Sequence, residues 1–109
     1  MNKEELYELS FQLILHSGNA RSSAMEAMQA ARNNDFNLAK NKIIESENEL
    51  LIAHKFQTQL IQNEANGDKY EIPILLVHAQ DHLMTAMTLK DFAIEIIDLR
   101  QEIPQHFGK

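Results

Sequence analysis

The sequence predicts an all-α chain folded as an antiparallel three-helix bundle, and three observations carry that expectation. Strand signals are scarce: valine occurs once, and no segment alternates apolar and polar residues convincingly. Three long stretches instead repeat their apolar side chains at helical spacing. The joints between them are short and hold Asn, Asp and Gly, which folds neighbours back on one another and argues against a single long coiled coil. No internal repeat or low-complexity segment interrupts this pattern, and the whole chain, 1–109, reads as one domain.

The first helix is expected from about Lys3 to Arg32, with Leu6, Leu13, Ala20, Ala24, Ala27 and Ala31 on one stripe. The small residues of its second half let a neighbouring helix come close. Ser17-Gly18-Asn19 interrupts it. Glycine inside a helix costs about 1 kcal/mol against alanine, so either the helix bends there or the missing side chain has a use.

Asn33-Asn34-Asp35 is a tight joint in which Asn34 or Asp35 caps the next helix. That second helix runs from about Asp35 to Ala65, with Ala39, Ile43, Leu50, Leu60 and Ile61 as core residues. Asn66-Gly67 ends it, because both residues tolerate the left-handed cap conformation. Asp68 to Ile72 is a loop. Pro73 suits the first turn of the third helix, where its missing donor is not needed, and the helix is expected to stop near Glu102, before Pro104.

The totals exclude several function classes. The formal charge is -6, from sixteen acids against ten bases. Nucleic-acid binding and polybasic binding to anionic lipid both need concentrated positive charge, and no basic run exists here. The apolar run Ile74 to Val77 is far too short to span a bilayer. Met1-Asn2-Lys3-Glu4-Glu5 lacks the layout of a secretion signal, so the cytoplasm is the expected location. Without cysteine there is no disulfide, no thiolate metal site and no thiol nucleophile.

The third helix is the informative one. His78, Asp81 and His82 stand at i, i+3 and i+4 and so project from one face. Ile74 and Leu75 lie before them on that face, and Leu89 and Phe92 lie beyond. A solvated face has little reason to be apolar at both ends. A monomer core has little room for two imidazoles and a carboxylate without dedicated partners. A face buried against another subunit, its polar group kept for function, meets both constraints.

Spacing alone leaves the chemistry open. A lone histidine on such a face is ordinarily a satisfied structural residue, and three ionisable groups together weaken that reading. They could ligate zinc or another divalent ion, or act as a general-base pair oriented by Asp81. A di-iron bundle needs Glu three residues before a ligand histidine, and none of the five histidines has it.

The segment Val77-His78-Ala79-Gln80-Asp81-His82-Leu83-Met84-Thr85 resembles the lactose/cellobiose-type enzyme IIA of the bacterial phosphoenolpyruvate-dependent sugar phosphotransferase system. The resemblance covers nearly the whole chain, including Gly18-Asn19-Ala20-Arg21, the stretch Ala53-His54 to Gln57, and Asn63-Glu64-Ala65. It implies that His78 carries a phosphoryl group received from the phosphocarrier HPr and passed to a cysteine of the cognate IIB component, during uptake of cellobiose, diacetylchitobiose or lactose. Such a chain is a phosphotransferase component working through a phosphohistidine. Imidazole has a reference pKa of about 6.5, so a large fraction is neutral and nucleophilic near pH 7. Phosphoryl transfer asks mainly for in-line placement and charge stabilisation, which two docked proteins supply between them.

The resemblance further implies a homotrimer, with Asp81 of each subunit meeting near the three-fold axis around a divalent metal, Mg²⁺. Clustered carboxylates need a cation to offset their repulsion, and oxygen-only ligation suits magnesium better than zinc. His82 and Gln80 are expected as neighbours of the phosphoryl site, with Gln80 partly sideways. His54 and Gln57 are expected at an interface or in polar packing, and the docking surface is expected around Ile74, Leu75 and Val77. His16 and His106 carry no functional expectation. Arg21 could lend positive charge near a phosphate or form a surface ion pair. The competing reading is a trimeric helical metal-binding or assembly module, in which His78 and His82 are ligands and nothing is transferred. A phosphocarrier needs His78 accessible and unligated.

Overall fold

The computed structural model describes residues 1–106, with side chains through Ile103. It contains three helices, α1 (Lys3–Arg32), α2 (Phe36–Ala65) and α3 (Ile74–His106), running up, down and up in a rod of 60 × 20 × 19 Å. No strand occurs among the described residues. α1 packs extensively on both other helices, while α2 and α3 touch each other less.

The joints follow local chemistry closely. Asn2 caps α1 by accepting from the Glu5 amide at 2.8 Å, and Asp35 caps α2 by accepting from the Leu38 amide at 3.1 Å. At the end of α1, Asn34 takes φ 61 and the Asp35 amide reaches back to the Ala30 carbonyl at 2.9 Å. At the end of α2, Gly67 takes φ 94 and the Asp68 amide reaches the Asn63 carbonyl at 3.0 Å. Both closures satisfy helix carbonyls through a left-handed residue, Asn in one case and Gly in the other. α3 begins one residue after Pro73, whose carbonyl accepts from Leu76 and Val77.

All six core residues expected on α1 are buried, as are Ala39, Ile43, Leu50 and Leu60 of α2. They form two clusters along the rod. One gathers Leu6, Leu13, Leu50, Leu60, Leu76 and Leu83, and the other is built on the small Ala24, Ala27, Ala31, Ala39 and Ala93 with Ile43 and Ile97. The alanine end lets the backbones approach, as the small-residue stripe implied.

Three local expectations are corrected. Ile61 is 61% exposed and not core, because one residue of sequence turns a helical side chain by about 100° away from buried Leu60. The third helix does not stop before Pro104 but continues to His106. A proline in the final turn forfeits one backbone bond where few remain to be lost, so it need not end the helix. At Gly18, α1 is not interrupted, and a Cβ there would meet nothing within 4 Å. Neighbouring Ser17 buries a hydroxyl with no hydrogen-bond partner among the described residues.

No described helix is long and apolar enough to cross a membrane.

Candidate functional site

The amino-terminal third of α3 presents its inner face to the core through Leu76, Ala79, Leu83 and Ala86, all buried. The three- and four-residue spacing of those anchors fixes the rotation of the helix. That rotation turns His78 and Asp81 outward, with His82 half-buried beside them. The outward face carries Ile74 at 86% exposure, and Val77, Met84, Phe92 and Leu99 are exposed as well. The stripe of apolar, ionisable and again apolar residues is therefore a surface of the single chain.

His78 and His82 are brought together. Their Nε2 atoms lie 3.0 Å apart, and their rings meet edge to face with centroids 4.5 Å apart. At that separation one nitrogen donates and the other accepts, so the pair shares a single proton along its line of contact. Among the described residues neither ring makes another hydrogen bond. The Thr85 hydroxyl donates to the carbonyls of Asp81 at 2.9 Å and His82 at 3.2 Å, one turn back along α3.

Asp81 stands apart from this pair. Its carboxylate is exposed and has no hydrogen-bond or ion-pair partner among the described residues, so the link between His82 and Asp81 that spacing allowed is not made. No group of three or more metal-binding side chains converges within the described chain. An unpaired, solvent-facing carboxylate suits a hard oxygen-seeking cation.

Gln80 reaches the other way. Its Oε1 accepts from Gln57 Nε2 at 2.7 Å, tying α3 to α2 with both side chains half-buried. Within one chain these two residues form polar packing and do not contact His78. His54 is exposed and borders a separate groove of ≈ 270 Å³ with Leu51, Met87, Lys90 and Asp91. Arg21 is exposed and shares a groove with Met84, Thr85 and Phe92, on the flank of the outward face of α3. The side chain of His106 lies outside the described residues.

Sequence reasoning passed over His16. It is half-buried between α1 and α2, with Nδ1 2.6 Å from Glu49 Oε2 and its ring stacked on Phe56 at 6.2 Å between centroids. Nothing local to His16 points to Glu49, thirty-three residues away. Its spacing, three residues after Leu13 and four before Ala20 of the expected core stripe, was the available signal that it lies at the edge of the core.

With this geometry in hand, comparison with known proteins is specific. Residues 8–101 match the family model described as the PTS system, lactose/cellobiose specific IIA subunit. The chain is 54% identical over 105 residues to the lichenan-specific phosphotransferase enzyme IIA component of Bacillus subtilis (strain 168), covering 96% of each. Its fold matches the crystal structure of the PTS cellobiose specific enzyme IIA from Bacillus anthracis with a TM-score of 0.90 and 48% identity, over 96% of this chain and 94% of that one. It also matches the IIA(Chitobiose) of the Escherichia coli phosphotransferase system, solved in solution as a complex with HPr, with a TM-score of 0.77 and 39% identity over 90% and 95% of the two chains. A helical frame and an α3 motif of this kind, matched over nearly the full length, mean that the chain belongs to the lactose/cellobiose-specific IIA subunit family of the sugar phosphotransferase system.

Proposed function

We propose that this chain carries a phosphoryl group on His78, accepting it from phosphorylated HPr and donating it to a cysteine of a IIB component during uptake of a disaccharide of the cellobiose, diacetylchitobiose or lactose kind. The observation that carries the reading is an exposed His78 imidazole on a rigid helix, its Nε2 3.0 Å from His82 Nε2, in an apolar surround of Ile74 and Val77.

The chemistry needs little else. With the shared proton on His82, His78 Nε2 keeps its lone pair and attacks the phosphorus in line. One N–P bond forms as the donor's N–P bond breaks. His82, freed from its acceptor, donates to a phosphoryl oxygen instead. In the second step a thiolate attacks the phosphorus and the His78 N–P bond breaks. The exposed apolar side chains give two partners a surface from which docking excludes water, and that protects the phosphohistidine from hydrolysis. The HPr complex of the related IIA(Chitobiose) supports HPr as the donor.

Assembly belongs to the same reading. Three copies pack α3 around an axis, bury the carboxyl-terminal part of the stripe at Phe92 and Leu99, leave Ile74, Val77 and His78 open to partners, and bring three Asp81 carboxylates together. The Asp81 carboxylates would hold Mg²⁺ there, and the ion would supply charge neutralisation for assembly. Gln80 and Gln57 then lie near a subunit boundary, with His54 on the neighbouring surface.

Intact mass tests the proposal, measured with and without the upstream phosphocarrier proteins and phosphoenolpyruvate, on the natural chain and on His78→Ala. The expected result is one acid-labile phosphoryl per chain, absent in the variant. No gain in mass with a competent donor present would overturn it.

A further inference from the structure

We infer that His78 and His82 also form a two-imidazole chelate for a late first-row divalent cation, Cu²⁺ or Ni²⁺ ahead of Zn²⁺. The site uses imidazole nitrogens and not the Asp81 carboxylate proposed for Mg²⁺. Only its consequence, that occupancy shuts off phosphoryl acceptance, rests on the phosphocarrier reading.

Two imidazole donors set the ligand class, and the distance between their nitrogens lets one ion span them. Two imidazole nitrogens bound about 2.05 Å from one metal are about 2.9 Å apart at a 90° angle and about 3.3 Å apart at the tetrahedral angle. The observed Nε2 separation is 3.0 Å. It puts both nitrogens within the span of a single ion, and the affinity order for imidazole ligands, not the separation, sets Cu²⁺ and Ni²⁺ ahead of Zn²⁺. The ladder of imidazole affinities puts Cu²⁺ highest in the same series.

The chain pre-organises this pair. Both residues sit one turn apart on a helix anchored by buried Ala79 and Leu83, so the two rings share one face whether or not an ion is present. The rings now meet at 90°, and a metal requires one to swing so that both lone pairs converge. His78 is exposed and His82 half-buried, and neither ring has a further hydrogen bond to break among the described residues. The swing costs one imidazole contact and nothing from the core.

No third metal-binding side chain of the described chain joins the pair. The remaining positions fall to water or to a group on a docked partner, which makes the chelate exchangeable. Its effect on function is direct: a ligated His78 Nε2 has no lone pair with which to attack phosphorus.

The test titrates the full chain with Cu²⁺ in excess Mg²⁺, which occupies carboxylate oxygens and leaves imidazole free. Calorimetry reads affinity, and electron paramagnetic resonance counts coordinated nitrogens. The natural chain is expected to bind one ion per chain through two imidazoles. His78→Ala and His82→Ala should each weaken binding at least about thirty-fold, since each leaves one nitrogen donor where the chelate had two. Both substitutions are on the surface, and a retained helical signal by circular dichroism confirms folding. Unchanged affinity in either variant, or a single-nitrogen signal in the natural chain, would overturn the chelate and leave the relay untouched. Phosphoryl acceptance should stop with Cu²⁺ and return with a chelator; acceptance that continues at full occupancy would overturn the blocking role. A metal-free chain that never accepts phosphoryl would instead count against the phosphocarrier reading, with the chelate still standing.

Discussion

His16 Nδ1 and Glu49 Oε2 lie 2.6 Å apart and tie α1 to α2 across thirty-three residues of sequence. The contact is partly shielded, with 18% and 28% of the two side chains exposed, and Phe56 stacks on the imidazole from the α2 side. A double-mutant cycle on His16→Ala and Glu49→Ala, read by urea denaturation, is expected to give a coupling of about 1 kcal/mol, between an exposed ion pair and a buried hydrogen bond. Strict additivity of the two substitutions would mean that the contact adds nothing to folding.

What the sequence made legible follows from which features are local. Helix starts, caps and the small-residue stripe depend on a few consecutive residues, and the Asp35 side chain and the Gly67 backbone behave as their chemistry dictates. The His78, Asp81 and His82 face was legible for the same reason, since helical spacing alone places them. Partner choice was not. That His82 pairs with His78 and leaves Asp81 alone depends on ring rotamers, and the Gln57 to Gln80 bond depends on the packing of α2 against α3. Neither is written in spacing.

Ile61 marks the limit of periodicity as a guide to burial. Leu60 is 4% exposed and Ile61 61%. Leu60→Ala should lower stability by about 3 kcal/mol through lost burial and a residual cavity, whereas Ile61→Ser should change it by no more than about 0.5 kcal/mol. Comparison of urea midpoints for the two variants checks this. A large loss at Ile61 would require a neighbour outside the single chain.

Gly18 gives a sharper form of the same question. A Cβ there meets nothing within 4 Å, and the surrounding helix is continuous. Gly18→Ala should therefore raise stability by about 1 kcal/mol through helix propensity alone. Thermal midpoints of the helical signal provide the measurement. A fall would place another surface against Gly18 in the assembled protein, because the chain itself supplies no clash.

Tyr70 sets an alkaline limit. Its ring packs against the leucine cluster, and its hydroxyl faces the Leu60 carbonyl at 3.4 Å. Burial, with added repulsion from Glu64 and Asp68, raises its pKa above the ordinary value of 10.0. Below that value the hydroxyl is neutral in both folded and unfolded chains and contributes no pH dependence. Above it the unfolded chain releases its proton first, so stability falls as pH rises from about 10. Tyr70→Phe should flatten that fall in a series of thermal midpoints taken upward from neutral pH. An identical alkaline slope in the variant would assign the loss to other groups.

Asp81 carries the prediction that bears most on assembly. Its carboxylate is exposed and unpaired among the described residues, on a face that also exposes Ile74, Phe92 and Leu99. If three copies meet through this face, three carboxylates approach one another, and a trimer of the natural chain should loosen when a chelator removes any cation that offsets their repulsion. Asp81→Leu replaces the repelling groups with apolar ones and should keep or tighten the trimer with no metal present. Sedimentation of both proteins, with and without chelator, separates the possibilities. A monomeric Asp81→Leu chain at micromolar concentration would mean that the carboxylate does not face its copies, and that the apolar stripe on α3 serves some surface other than the subunit contact.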